Sequence, residues 1–157
     1  MIRKANLHDL PRVLEIYAYA RQFMRNTGNP TQWREGTPAE DTLRRDMAAG
    51  QLYVQEDDGV HAVFALILGA DPTYAKIDGA WLSDAPYATL HRVASDGTRH
   101  GVLNQAVEFA KTQCGHLRID THKDNQIMQR AIAKNGFRYC GVILTDDGTP
   151  RLAYEWL

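Results

Sequence analysis

Cysteine is scarce in this chain: Cys114 and Cys140 are the only two among 157 residues, too few and too far apart for a disulfide framework or a zinc site. A reducing cytoplasm is the simplest expectation for its compartment. An excess of one charge is also lacking. The 18 basic and 19 acidic residues leave a formal net charge of −1, which supplies no general field for a polyanion and argues against nucleic acid as a partner. No apolar run approaches the length needed to cross a bilayer, and the opening Met1-Ile2-Arg3-Lys4 lacks the apolar core of a signal peptide. Neither export nor membrane insertion is expected. Repeats, low-complexity tracts and linkers are absent too, which points to one domain over residues 1–157.

What is present suits a folded domain. Hydrophobic residues make up 44% and charged residues 24%, close to the averages of soluble globular proteins, which sets aside the disordered and collagenous classes. A chain of this length buries about two-thirds of the surface its unfolded form exposes, so it needs no staples.

After a short strand at residues 2–4, Asn6 and Asp9 can cap a helix that accepts Pro11 in its first turn. Leu10, Val13, Leu14, Tyr17, Ala20 and Met24 follow at the three-and-four spacing of one buried face. Residues 26–30 stop this helix, the turn-rich stretch 29–38 carries Trp33, and a shorter helix is expected over 38–49. Strands at 52–56 and 62–69 form a hairpin about Asp57-Asp58-Gly59. Residues 71–86 read as a loop with an irregular extra strand near 77–82. A strand at 88–95, a helix at 101–114, a strand at 117–121 and a helix at 125–135 come next. Two strands at 137–144 and 151–156 finish the chain about Asp146-Asp147-Gly148. The unit over 88–121 must pair parallel and the rest can be antiparallel, so the class is α/β with a sheet of mixed direction.

Residues 90–103 (LHRVASDGTRHGVL) run from a buried-looking strand through a short polar loop directly into a helix. The first amides of a helix lack internal partners and carry the positive end of its dipole, so this junction can hold a pyrophosphate without a dedicated cation. Gly101 lets backbone and ligand approach closely, although a lone glycine at such a junction is often only a turn. Val102, Leu103, Ala106, Val107, Ala110 and Cys114 supply the face that fixes the helix by burial.

Downstream, residues 119–125 (IDTHKDN), a helix, and then Lys134-Asn135-Gly136-Phe137 complete a pattern that resembles the closing half of the GNAT (Gcn5-related N-acetyltransferase) fold. With the preceding strand, loop and helix the resemblance covers residues 88–144, and the earlier elements agree in order. It implies a single-domain GNAT fold with a mixed, mostly antiparallel sheet of roughly six to seven strands flanked by about four helices. It also implies a sheet splayed open at an acetyl-CoA cleft, with the main chain around Val93 and Ser95 pairing with the pantetheine arm as an extra strand. The implied pyrophosphate loop is Thr98, Arg99, His100, Gly101, Val102 and Leu103. Thr98 stands where the family usually has Gln or Arg, and Leu103 where it has a small residue.

The activity so implied is transfer of the acetyl group of acetyl-CoA to a primary amine by direct attack. The protein would deprotonate an ammonium, polarise a carbonyl and protonate a thiolate. The tyrosine acid common in the family falls at Ile132 here, which leaves Tyr139 and Cys140 as nearby candidates against an ordinary core reading. His91 is the preferred base because it shares strand parity with Val93 and Ser95; His122, just past a strand end, is second. Both also read as hydrogen-bonded structural histidines, and His8, His61 and His116 read as surface or turn residues. Asn125 either caps a helix or bonds to the pantetheine arm. Asp120 either orients an acceptor amine or pairs with Arg118 or Arg92. Trp33 either walls the acceptor pocket or pins its own loop. Acceptor selection is expected from the loop around Gln32, Trp33 and Arg34, from residues 71–86 and from the final hairpin.

The partners so implied are acetyl-CoA and an acceptor expected to be a small amine or a peptide, and the fold is compatible with a homodimer. A rival reading, prompted by Leu103 and Ile132, is a GNAT-shaped module that binds acyl-CoA without catalysis. A tRNA-directed acetyltransferase is disfavoured by the charge balance.

Overall fold

The computed structural model describes residues 1–157. Strand β1 (Ile2–Lys4) leads to Asn6, whose side chain accepts the His8 amide at 2.9 Å while its own amide donates to Asp9 Oδ2 at 2.8 Å, a capping box that starts one 3-10 turn. That turn runs into α1 (Leu10–Asn26), with Pro11 in its first turn, where no amide is needed. Leu10, Val13, Ile16, Tyr17 and Ala20 form the buried stripe. Ile16, rather than Leu14 or Met24, completes it; those two are only half-buried.

Helix α2 (Glu40–Ala48) precedes the hairpin of β2 (Leu52–Glu56) and β3 (Val60–Leu68). After the two-residue β4 (Asp78–Gly79) come β5 (Ala88–Ser95), α3 (Val102–Gln113), β6 (Leu117–Thr121) and α4 (Gln126–Lys134). The chain ends with β7 (Arg138–Leu144) and β8 (Pro150–Trp156). All eight strands join one sheet in the order β1-β2-β3-β5-β6-β8-β7-β4, with β5 and β6 the single parallel pair. No helix is long and apolar enough to cross a membrane.

The strand count exceeds the expected six to seven because β4 pairs with β7 at the sheet's far edge. Glycines make that contact possible. A Cβ on Gly79 would sit 2.1 Å from the Cys140 carbonyl oxygen and one on Gly141 2.2 Å from that of Asp78, so only hydrogen fits at either place.

Each face of the sheet carries its own core. Phe64, Leu66, Leu90, Leu117 and Ile119 pack with the apolar side of α3 and with Ile132 of α4. On the opposite face Leu52, Val54, Val63 and Ala65 meet Val13, Ile16 and Tyr17 of α1 and Leu43 of α2. Each such aliphatic side chain contributes about 1.5–3 kcal/mol through burial, and both helical layers are thereby fixed on the sheet.

Residues 71–86 are tied down more firmly than a loop reading implies. Glu155, fully buried on β8, accepts Arg118 Nε at 2.7 Å, His116 Nε2 at 2.6 Å and the Leu82 amide at 2.6 Å. Arg118 also donates to the Ser83 carbonyl at 2.8 Å, with its guanidinium 3.9 Å from the Trp81 ring centroid and 4.0 Å from that of Tyr87. His116 is therefore a buried bridge between loop and sheet, not the surface residue expected; its chain position beside Gly115 resembles a turn, but its partner lies 39 residues away. His61 is likewise buried, while His8 is exposed.

Candidate active site

The ladder between β5 and β6 stops at Leu90 and Ile119, although β5 runs on to Ser95 and β6 to Thr121. This is the expected splay, and it leaves one edge of β5 free beyond Leu90. On its other side β5 carries a bulge: Ala94 pairs with Val63 and His91 with Ala65, so Arg92 and Val93 together face Phe64. Arg92 takes up a left-handed φ of 51° there. It is held in place from both its ends, because the Tyr17 hydroxyl donates to its carbonyl oxygen at 2.7 Å and its guanidinium grips Asp46 of α2 at 2.7 and 3.0 Å. Burial raises the Tyr17 hydroxyl far above the ordinary tyrosine range, so it stays a donor.

The bulge corrects one expectation. His91 and Val93 do not share strand parity, since one extra residue lies between them; His91 pairs with Ala65 on the α1 face, whereas Val93 packs against the core beneath α3. Both still reach the cleft, because the splay opens it from one face to the other.

Two cavities meet at that opening. One, of about 200 Å³, is an apolar groove bounded by Tyr19 and Phe23 of α1, Val93 and Ser95 of β5, the start of α3, and Ile127 of α4. The other, of about 340 Å³, is polar and is lined by His91, Asp71, Asp120, Thr121, Trp33 and Arg151 among others. Met24, Val93, Asn125 and Met128 border both.

In the polar cavity His91 Nε2 lies 2.9 Å from Asp71 Oδ2. A carboxylate only accepts, so in the neutral ring Nε2 is the protonated nitrogen and Nδ1 the one with the lone pair. The hydrogen bond from His91 holds the Asp71 carboxyl well below the usual range despite its partial burial. Asp120 pairs with neither Arg118 nor Arg92, which are engaged by Glu155 and Asp46; its partner is the buried Tyr74 hydroxyl at 2.6 Å. Trp33 stands edge-on to Tyr17 with ring centroids 5.5 Å apart and also lines the cavity, so it both pins its loop and forms a wall. Asn125 caps α4 by accepting the Met128 amide at 3.1 Å and donates to Gln32 Oε1 at 3.0 Å, joining the Trp33 loop to the cleft.

The apolar groove ends at the first turn of α3. Gly101, with φ of 72°, precedes the helix, and a Cβ there would meet nothing within 4 Å. The first helical bond runs from the Gln105 amide to the Gly101 carbonyl at 3.0 Å, so the amides of Val102, Leu103 and Asn104 have no helical acceptor. Gln55 Nε2 donates to the Val102 carbonyl at 2.9 Å and anchors this turn to β2. Leu103 is 7% exposed and belongs to the core, so its side chain points inward rather than over the amides. Of the other loop residues, Thr98 is bound to Asp96 Oδ1 through hydroxyl and amide at 2.6 and 2.9 Å, Arg99 reaches the Asp57 carbonyl at 3.2 Å, and His100 is exposed. None of these three lines the groove. No group of three or more His, Cys, Asp or Glu side chains is placed to share a metal ion.

A GNAT-family acetyltransferase from Streptococcus agalactiae superposes on the whole chain and 94% of its own, with a TM-score of 0.88 and 31% identity. The chain belongs to the GNAT family of acetyltransferases. The same fold is seen in a GNAT acetyltransferase from Listeria monocytogenes (TM-score 0.71, 15% identity, 99% of this chain and 92% of that one). It recurs in the ribosomal-protein-alanine N-acetyltransferase of Brucella melitensis (TM-score 0.62, 19% identity, 100% of this chain and 99% of that one). No family model and no curated protein sequence matches the chain.

Within this GNAT fold three further positions are placed. Ile132, where an acid was sought, is fully buried in the core. Tyr139 is 57% exposed, packs edge-on against Tyr154 with centroids 5.6 Å apart and lines neither cavity. The fold does not bring it beside His91 and Asp71. His122 accepts the Asp124 amide at Nδ1 (3.0 Å) and faces Thr31 Oγ1 from Nε2 (3.2 Å), so neither ring nitrogen is left for a substrate. Asp71, Tyr74 and Arg151 escaped the sequence reading; only their location in the two segments assigned to acceptor selection pointed to them.

Burial, seconded by Arg151, lowers His122 below its ordinary 6.5. A depressed histidine stabilises the fold fully above the unfolded value and loses that contribution as pH falls through the folded one. The urea midpoint is therefore expected to drop between pH 7.5 and acidic pH, with a shallower drop in His122→Asn; equal slopes would remove His122 as a cause.

Proposed function

We propose that the protein transfers the acetyl group of acetyl-CoA to the primary amine of a small-molecule or peptide acceptor by direct attack. The observation that carries this reading is the meeting of an apolar groove with a polar cavity at Val93, with His91 and Asp71 standing in the polar one.

The residues present fit the coenzyme. The open space over Gly101 and the unbonded amides of Val102, Leu103 and Asn104 suit a pyrophosphate. The free edge of β5 at Val93 and Ser95 suits the amide-bearing pantetheine arm, and Asn125 stands beside it. When bound, acetyl-CoA supplies the acetyl thioester. His91 Nδ1 takes one proton from the acceptor ammonium, directly or through water, while Asp71 keeps the imidazole in the required tautomer. A backbone amide near the Val93 bulge would polarise the thioester carbonyl. As the new C–N bond forms and the C–S bond breaks, the second amine proton passes to the thiolate through water. No side chain need supply it, because a thiol of ordinary acidity, about 8.5, is a competent leaving group.

The buried Ile132 favours a second reading, an acyl-CoA-binding module without catalysis. Thermal unfolding with acetyl-CoA at about 100 times its dissociation constant is expected to show roughly 2.7 kcal/mol of added stability, absent in Gly101→Glu. Amine-dependent thiol release then separates the readings: release supports transfer, and a shift without release for any amine supports the binding module. No shift in the wild type overturns both.

A further inference from the structure

The polar cavity holds two opposite charges that lie close together and do not meet. Asp120 on β6 is paired across the sheet with Ala153, and Arg151 sits two residues further along β8. The two side chains therefore share a face and are diagonal neighbours, typically about 7–8 Å apart at their bases, well within reach of an arginine. An ion pair is the ordinary outcome of such an arrangement. Instead, Asp120 accepts the Tyr74 hydroxyl at 2.6 Å, and Arg151 donates only to the backbone oxygens of Gln32 at 3.2 Å and Pro150 at 3.3 Å. Of the five guanidinium N–H groups those bonds occupy two, and no carboxylate lies within 4.0 Å.

Holding Arg151 in this way has a cost. Burial disfavours its charged form, which Asp120 and Asp147 only partly offset. A carboxylate ligand would complete the unbonded side of this guanidinium through charge-assisted, bidentate bonds. The charges around it narrow the choice of ligand. Arg92 is neutralised by Asp46, and Asp71 is engaged by His91, so the free charges facing the cavity are Asp120, Arg151 and the exposed Asp146 at its mouth. A second ammonium would be repelled by Arg151, whereas a carboxylate would complete its planar fork.

We infer that the acceptor is an amino-carboxylate, a free amino acid or a molecule with a similarly close ammonium and carboxylate, whose carboxylate is bound by Arg151 while its ammonium is received between Asp120 and His91. The inference rests on the acetyl-transfer reading and deepens it. Asp120 holds the ammonium form; His91 takes the proton that frees the attacking nitrogen. Arg151 touches the acceptor but not the reacting atoms, so its effect belongs in KM rather than kcat.

The experiment compares a panel of L-amino acids with their carboxamides in thiol-release assays, using wild type, Arg151→Ala and Arg151→Lys. Expected are acetylation of at least one free amino acid in preference to its amide, and a KM for that acid about 10- to 150-fold higher in Arg151→Ala at little-changed kcat. The amide's KM should move far less than the acid's, and Arg151→Lys should restore part of the preference. Equal use of acid and amide, a better rate with the amide or with polyamines, or a preference that survives in Arg151→Ala overturns the inference and leaves acetyl transfer standing. If no amine is acetylated, the acetyl-transfer reading falls, and calorimetry with the same amino acids decides the site alone. Heat of binding lost in Arg151→Ala supports the carboxylate assignment; no binding by the wild type overturns it.

Discussion

Replacing His91 by alanine is expected to lower kcat/KM for acetyl transfer by about 10²- to 10⁴-fold, the usual contribution of a positioned general base. The coenzyme-dependent thermal shift should survive, because His91 stands in the polar cavity and the apolar groove proposed for the coenzyme is lined by other residues. The split between the constants provides the stricter test: the loss should fall in kcat, with the KM for acetyl-CoA little changed. Asp71→Asn keeps an acceptor for Nε2–H but removes the charge, so it should cost less than His91→Ala. A His91→Ala enzyme within about threefold of wild type would take His91 out of the chemistry.

The second large effect concerns stability. Glu155→Ala leaves Arg118 and His116 buried beside an empty site, and breaking a buried pair by removing one partner costs about 3–5 kcal/mol. At roughly 2–4 °C per kcal/mol for a chain of this size, Tm should fall by about 6–20 °C in calorimetry. Acid should reveal the same group. Burial alone would raise the Glu155 carboxyl, but the bonds from Arg118, His116 and the Leu82 amide outweigh it and hold the group below its ordinary 4.5. Its contribution is therefore complete above that value and disappears as pH falls through the folded one, so the variant should lose less stability on acidification than wild type. Because Glu155 anchors the segment that carries Asp71, the variant should also weaken acceptor binding. A Tm within about 2 °C of wild type would show that the cluster is dispensable.

Much of the fold was legible because its signals are local. The α1 stripe, the hairpin about Asp57-Asp58-Gly59 and the strand-loop-helix joined at Gly101 each follow from periodicity or turn chemistry within a few residues. The bulge at Arg92 was not legible. An alternating strand pattern cannot mark an extra residue when its cause, Tyr17 and Asp46 gripping Arg92, lies 75 and 46 residues away. Separations of 39 and 20 residues likewise hid the pairing of His116 with Glu155 and of His91 with Asp71. Tyr139 shows the opposite error: proximity in the chain to α4 did not bring it to the cleft.

By itself, then, the sequence determined the order of elements, the α/β class, the family likeness and the amide-rich start of α3, since propensity, burial pattern and backbone chemistry act over short stretches of chain. The tertiary structure alone decided which side chains share the cleft. It turned His91 to one face and Val93 to the other through a bulge, and it satisfied His122 internally. It also drew Asp71 and Arg151, 80 positions apart in the chain, into one cavity. Those outcomes depend on packing between distant segments, where the cost of leaving a buried charge or donor without a partner selects one arrangement.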